Sequence, residues 1–305
     1  MQHYGSPRLL LKYPDVERVK RCALKGMASA DELLNVIVLK GGNAIDLVHD
    51  RGTRASIDLD FSITADFSNL ESVSVILEEN IAREFRSEMK LRVFDFSMIP
   101  KPKELSSDVA DFWGGYLVEF KLSTEEMFEQ YREEIDALRR NAIPVTLAGQ
   151  RKFKIEISKY EYCEPKRLYE LDGGVFLYAY TEAMIVAEKL RAVCQQMTEY
   201  APIVRRSNRP GAPRARDFYD IYGLVSPGLV NPDSQDFHNL LVNTFSVKRV
   251  PLTFLKNVGE YREFHRSDFQ KVKDSLKTGD AVEDFDFYFD FVLRICGRLK
   301  PLWDV

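Results

Sequence analysis

The sequence predicts an α/β chain of the α+β kind, with a mixed sheet followed by a bundle of helices. Three observations carry this. Short apolar runs with period-two alternation, the mark of half-buried strands, fall before residue 180. Amphipathic helical windows are interleaved with them, at Asp15–Met27 and Asn69–Met89. From Thr181 onward the alternation gives way to helical periodicity. The boundary is therefore drawn after residue 180, giving domains 1–180 and 181–305. A length of 305 residues suits one large domain or two of ordinary size.

In chain order, Val16, Val19, Cys22, Ala23 and Met27 give the first helix its buried face, and Ser29 can cap a short second helix. Val36-Ile37-Val38-Leu39 is β-branched and apolar and suits a buried strand. Gly41-Gly42 stops it, because glycine takes positive φ and admits close approach to the backbone. A short helix over Asn43–Val48 and a turn at Asp50–Thr53 lead into a strand over Ile57–Ile63. Asn69–Met89 is the next helix, then come strands over Leu91–Ile99 and Tyr116–Leu122, split by a loop with Pro100 and Pro102. Ser123–Ala142 reads as one helix, with Thr124 as N-cap, acids first and bases last, which suits the helix dipole. Phe153–Ser158 and Val175–Tyr180 complete the strands. Thr181-Glu182 caps a helix through Cys194, and further helices follow at Arg214–Tyr222, Ser234–Phe245, Pro251–Val258, Asp268–Leu276 and Val282–Leu299.

Composition narrows the function classes. A net charge of −4 rules out a globally basic nucleic-acid binder, so any such contact must come from a local patch. Cys22, Cys163, Cys194 and Cys296 form no C-x-x-C pair, which argues against a zinc site or a disulfide framework and fits the reducing cytoplasm. The four histidines have no ligand spacing, and no long uncharged apolar run suggests a membrane span. The N-terminal residues lack the apolar region and cleavage site of a signal peptide.

The central inference is the alternation over Ile57–Ile63. Ile57, Leu59, Phe61 and Ile63 take one face, and Asp58, Asp60 and Ser62 the other. That sets Asp58 and Asp60 roughly 6–7 Å apart along the strand. Two such carboxylates repel unless a cation or a proton lies between them. Mg²⁺, with Mn²⁺ as a substitute, prefers one or two carboxylates together with substrate phosphates. The glycine turn and helix start just upstream offer N–H groups for anionic oxygens. Carboxylates beside a phosphate-binding turn point to phosphoryl or nucleotidyl chemistry.

Lys40-Gly41-Gly42-Asn43-Ala44 followed by Arg54-Ala55-Ser56-Ile57-Asp58-Leu59-Asp60-Phe61 resembles the first motif of the AbiEii-type nucleotidyltransferases, which include the MenT toxins. These are small members of the DNA polymerase β-like superfamily. Ala187-Glu188-Lys189-Leu190 resembles the family's second signature, and Arg214 to Asp220 its R-x-x-D-x-x-D signature. The resemblance runs by motif over residues 36 to 225. It implies a polymerase β-like nucleotidyltransferase domain at 1–180 and a helical bundle at 181–305 that completes the active site. It further implies an NTP co-substrate, an RNA acceptor such as tRNA, and a toxin restrained by a cognate antitoxin.

On this resemblance Gly41, Gly42 and Ser56 would hold the triphosphate, and Asp58 and Asp60 the metal. A third carboxylate is expected on a neighbouring strand; Glu156 is the first choice and Glu119 the rival. Lys189 would deliver positive charge to the triphosphate, with Arg191 a second candidate for that task. Asp217 would orient Lys189 or accept a proton from the attacking hydroxyl. Alternatively, Asp217 and Asp220 form a structural network with Arg214 and Arg216. The stretch 202–216 holds Arg205, Arg206, Arg209, Arg214 and Arg216 and no acid, which suits phosphates of a nucleotide or an RNA backbone. The expected reaction is transfer of a nucleoside monophosphate from an NTP to an acceptor hydroxyl. The alternatives are a protein or small-molecule acceptor, or a nucleotide-binding module without catalysis.

Overall fold

The computed structural model describes residues 13–49, 58–145, 149–171, 173–206, 209–276 and 282–304. Seven strands form one mixed sheet: β1 (Val38–Lys40), β2 (Leu59–Ser62), β3 (Leu91–Lys101), β4 (Gly115–Thr124), β5 (Phe153–Ser158), β6 (Arg167–Leu171) and β7 (Val175–Ala179). Their order is β3-β4-β5-β2-β1-β7-β6. β2 lies antiparallel to β1 and parallel to β5, while β1 lies parallel to β7. Val38, Leu39, Leu59, Phe153 and Ile155 are wholly buried in these inner strands, as apolar residues beneath helices must be.

The sheet half also carries α1 (Tyr13–Ala28), α2 (Asp31–Leu34), α3 (Gly41–Asn43), which widens into a looser turn over Ala44–Val48, α4 (Leu70–Glu84), α5 (Glu125–Tyr131) and α6 (Ile135–Asn141). The remainder is helical: α7 (Glu182–Cys194), α8 (Ala215–Val225), α9 (Gln235–Ser246), a 3-10 stretch over Leu252–Tyr261, α10 (Arg262–Arg266), α11 (Phe269–Ser275) and α12 (Phe285–Arg298). One hydrophobic cluster runs from Val19 to Leu299 through both halves, with Phe218 stacked on Phe289 at 4.9 Å. The four cysteines are free and buried. Among the described residues no helix is long and apolar enough to cross a membrane.

Several expected elements differ. The first strand starts at Val38, not Val36, whose side chain is exposed, and it extends to Lys40. Ser29 is not the cap of α2: its hydroxyl donates to the Lys25 carbonyl at 2.7 Å and closes α1 instead. The expected single helix over 123–142 is two helices. Thr124 does cap the first, accepting from Met127 N–H. The break lets Leu138 and Ala142 pack on Phe94 of β3, and Arg139 reach Asp95 at 2.6 Å. β6 carried no strand pattern: it is an edge strand with largely exposed side chains, paired to β7 alone.

Candidate active site

The site starts where β1 ends. Lys40 is the register partner of Asp60 across β1 and β2, so the two side chains leave the sheet on the same face. Gly41 follows with φ +70°, and a Cβ there would lie 2.9 Å from Asp60 Oδ2. Glycine is thus required both for the backbone and for room beside the carboxylate. Asn43 is buried and donates from Nδ2 to the Asp58 carbonyl at 2.6 Å, tying this turn to the entry of β2. Asp58 occupies the bend just before β2 and is exposed, whereas Asp60, within the strand, is half-buried. Ser56 lies outside the described residues.

Asp60 stands opposite Glu156 in the parallel β2–β5 pair, and both line one cleft. Glu156 is met by Lys101 at 2.5 Å. Glu119 pairs in register with Lys154, is held by Lys152 at 2.6 Å, and does not line that cleft. Burial pushes the Asp60 carboxyl up to about 6; Lys40 opposes the shift, and Glu156, Glu188 and Asp58 reinforce it. Asp58, though exposed, is raised as well, by partial desolvation from the surrounding chain, with Lys154 opposing the shift and Glu156 adding to it. Carboxylates whose ionised form is disfavoured, as those of Asp60 and Asp58 are, are the donors a hard divalent cation would relieve. Asp58, Asp60 and Glu156 fit such an ion in donor chemistry. Among the described residues no three His, Cys, Asp or Glu side chains are grouped so as to hold a metal ion alone. The remaining coordination positions would fall to phosphate oxygens and water, the habit of Mg²⁺.

The opposite wall comes from α7 and α8. Lys189 on α7 is 3% exposed, with Nζ 2.9 Å from Asp217 Oδ1 and 2.7 Å from Asp220 Oδ2. The i, i+3 spacing on α8 places both carboxylates on the face that meets α7. Arg214 pairs with Asp217 as well. Burial alone would raise the Asp217 carboxyl, but Arg214 and then Lys189 outweigh it and hold the group well below the carboxylate range. Lys189, Asp217, Arg214 and Arg216 all line the cleft. Arg191 lies deeper, 2% exposed; its guanidinium is 2.6 Å from Glu161 and donates to the Thr244 carbonyl.

Sequence reasoning missed Glu161 and Lys248 and gave Lys40 no role. Glu161, just past β5, is buried and collects three cations from distant parts of the chain: Arg191 at 2.6 Å, Lys40 at 3.5 Å and Lys248 at 3.7 Å. Burial would raise its carboxyl, yet Arg191, Lys248 and Lys40 together hold it far below the usual range. Lys248 donates to the carbonyls of Phe112 and Lys159, at 3.1 and 2.5 Å, and so rivets the helical half to the sheet half. Burial lowers its amine to about 8, against the pull of Glu161. A lone acid after a strand and a lone lysine after a helix carry no local signal. Only Lys40 had one, through its place in the first motif.

The cleft between the walls has a volume of about 860 Å³. Part of the arginine-rich loop stands at its mouth. Arg205 bridges to Asp108 at 2.6 Å, and Arg206 donates to the Gln195 carbonyl. Gln196 fastens the loop, accepting from Gly211 N–H on its carbonyl and from Ala212 N–H on its side chain. Arg209 is exposed. Residues 207 and 208 lie outside the described residues.

A protein-family model, described as nucleotidyl transferase AbiEii toxin of a type IV toxin–antitoxin system, matches residues 22–291. No curated protein matches the chain. Among solved structures, JHP933 from Helicobacter pylori is 14% identical with a TM-score of 0.48, the match covering 96% of this chain and 95% of that one. MenT4, a nucleotidyltransferase toxin from Mycobacterium tuberculosis H37Rv, is 13% identical with a TM-score of 0.44, covering 94% and 83%. Likenesses this distant say nothing of the chemistry of this chain.

Proposed function

The chain belongs to the AbiEii family of nucleotidyltransferase toxins, and on that premise we propose that it moves a nucleoside monophosphate from an NTP to a hydroxyl of an RNA acceptor such as tRNA. The acceptor oxygen attacks the α-phosphorus, its proton passes to solvent water, the bond to the bridging oxygen breaks, and pyrophosphate leaves with the electron pair. Asp58, Asp60 and Glu156 would hold Mg²⁺, or Mn²⁺ in its place. Bound there, the ion supplies Lewis-acid activation of the hydroxyl and neutralises triphosphate charge.

In this reading Gly41 and Gly42, at the start of α3, cradle the triphosphate, and Ser56 is assigned to the same task. Lys189 and Arg191 supply positive charge to the opposite wall of the cleft. Asp217, held far below the carboxylate range, is a poor base. Its role is therefore to orient Lys189. Residues 1–180 act as the nucleotidyltransferase domain, and residues 181–305 complete the site. The family description implies an antitoxin partner, and we place the protein in the cytoplasm.

The observation that supports this reading best is the meeting of Gly41, Asp60 and Glu156 in one cleft faced by Lys189. The test is incubation of the protein and Mg²⁺ with each α-labelled NTP, with and without total RNA or purified tRNA. Label is expected to enter RNA from at least one NTP. Label entering only protein, or no macromolecule at all, would overturn the RNA acceptor.

A further inference from the structure

Lys40 stands beside Asp60 on one face of the sheet, immediately before the Gly41 turn. It is 8% exposed and lines the cleft. Its ammonium has three donors but makes one hydrogen bond, to Ser158 Oγ at 3.1 Å. The nearest carboxylates, Glu161 and Glu188, are 3.5 and 3.8 Å away. A charge-assisted N–H···O bond is about 2.7–2.9 Å long, so neither reaches it. Lys101 to Glu156, Arg191 to Glu161 and Lys189 to Asp220 are tight pairs of the same cleft, at 2.5, 2.6 and 2.7 Å. Lys248 is 3.7 Å from Glu161, but its ammonium donates to the carbonyls of Phe112 and Lys159 instead. Among the described residues, Lys40 has neither a carboxylate at bonding distance nor carbonyls to take up its donors.

We propose that Lys40 is a phosphate-binding residue of the nucleotide site, positioned by Glu161. The inference rests on the nucleotidyl-transfer reading given above. Glu161 commits Oε2 to Arg191 and turns Oε1 toward Lys40 and Lys248. It is near enough to keep Lys40 charged and too far to use up its donors. Serine and glutamate fix the direction of the ammonium, and its remaining N–H groups are left for a phosphate oxygen beside Asp60. Lys189 differs in kind. It already answers two carboxylates at bonding distance, so it brings charge to the opposite wall from a fixed position.

The experiment compares wild type with Lys40→Met, Lys40→Arg, Glu161→Gln and the Lys40→Met/Glu161→Gln double variant. Binding of pyrophosphate and of the transferred NTP is measured by calorimetry, and label transfer to RNA is followed in parallel. Lys40→Met should weaken both ligands by about ten- to a hundredfold, the range for a lost charge-assisted hydrogen bond. Lys40→Arg should recover part of that loss. Because Glu161 acts through Lys40, the double variant should bind no more weakly than Lys40→Met, a non-additivity that two independent structural defects would not give.

If wild type transfers label and Lys40→Met binds pyrophosphate as wild type does, the inference falls and the transfer reading stands. If no label moves but pyrophosphate binding depends on Lys40, the phosphate site stands and the transfer reading falls. If wild type binds neither ligand, both fall. Should Lys40→Met fail to fold, Lys40→Arg decides, because unchanged affinity in that variant also overturns the claim.

Discussion

Asp60 on β2 and Glu156 on β5 face each other in parallel register, and Asp60 titrates near 6 as a result of burial reinforced by Glu156. An unfolded aspartate titrates at about 3.9. Between these values the folded protein keeps a proton that the unfolded chain has lost. Stability therefore falls as pH rises through this window, and the loss is complete above about 6. Asp60→Asn removes the ionisation. It should be more stable than wild type above pH 6, by a few degrees in Tm, and the gain should shrink steadily as the pH is lowered toward 4. The same variant should lose label transfer. Mg²⁺ should raise the Tm of wild type at pH 7.5 and leave Asp60→Asn unmoved. A melt series over pH with and without Mg²⁺ checks the stability and metal predictions, the label-transfer assay checks the third, and an equal Mg²⁺ shift in both proteins would remove Asp60 from the metal site.

The carboxylate face of β2 was legible because strand alternation is a local rule: Leu59 and Phe61 had to go inward, so Asp60 had to face away from them. The face of Glu156 on β5 was legible for the same reason, whereas its register beside Asp60, which Glu119 on β4 does not share, depends on the strand order. What no window could reveal is Glu161. Its three cations come from β1, α7 and the end of α9, and nothing near residue 161 announces them. The break between α5 and α6 was hidden too, since charge order suited one long helix while the packing of Leu138 on Phe94 required two. β6 escaped because an edge strand with exposed side chains need not alternate.

Gly41→Ala tests the turn. At φ +70° an alanine is strained, and its Cβ would lie 2.9 Å from Asp60 Oδ2. The substitution should destabilise by about 1 kcal/mol or more and displace the carboxylate. Activity should fall well beyond what the fraction unfolded explains, because a misplacement of about 1 Å can cost a hundredfold. Kinetics at a temperature where melts show the variant folded make the check. Near wild-type turnover would mean the close approach of Gly41 to Asp60 has no catalytic consequence.

Lys189 separates structure from chemistry. Removing it leaves Asp217 and Asp220 buried beside each other with Arg214 as a remaining partner of Asp217. Breaking a buried pair in this way costs about 3–5 kcal/mol. Lys189→Met should therefore lower stability sharply. Lys189→Met/Asp217→Asn/Asp220→Asn removes the stranded charges and should regain much of the lost Tm without regaining transfer. Recovery of both would make the network purely structural, and the place of Lys189 in the second signature would then be about folding alone.

The arginine-rich loop tests the acceptor. The chain carries a net charge of −4, yet Arg205, Arg206, Arg214 and Arg216 line the cleft and Arg209 is exposed on the same loop. If the loop grips an RNA backbone, each neutralised phosphate releases counterions, and the logarithm of affinity falls with the logarithm of salt at about 0.7–0.9 per contact. Arg205→Ala/Arg206→Ala/Arg209→Ala removes up to three contacts, so the slope should flatten by about 2. Arg214 and Arg216 stay in place because Arg214 holds Asp217, and their loss would confound binding with damage to the site. The Arg205–Asp108 bridge is exposed on both sides, so its loss should cost little stability. NTP affinity should change little, since the expected phosphate contacts lie deeper, around Gly41 and Lys189. RNA binding across a salt titration, with NTP binding as the control, reads both effects. A small-molecule acceptor predicts almost no salt slope in either protein, and equal slopes in wild type and variant would move the RNA surface away from this loop.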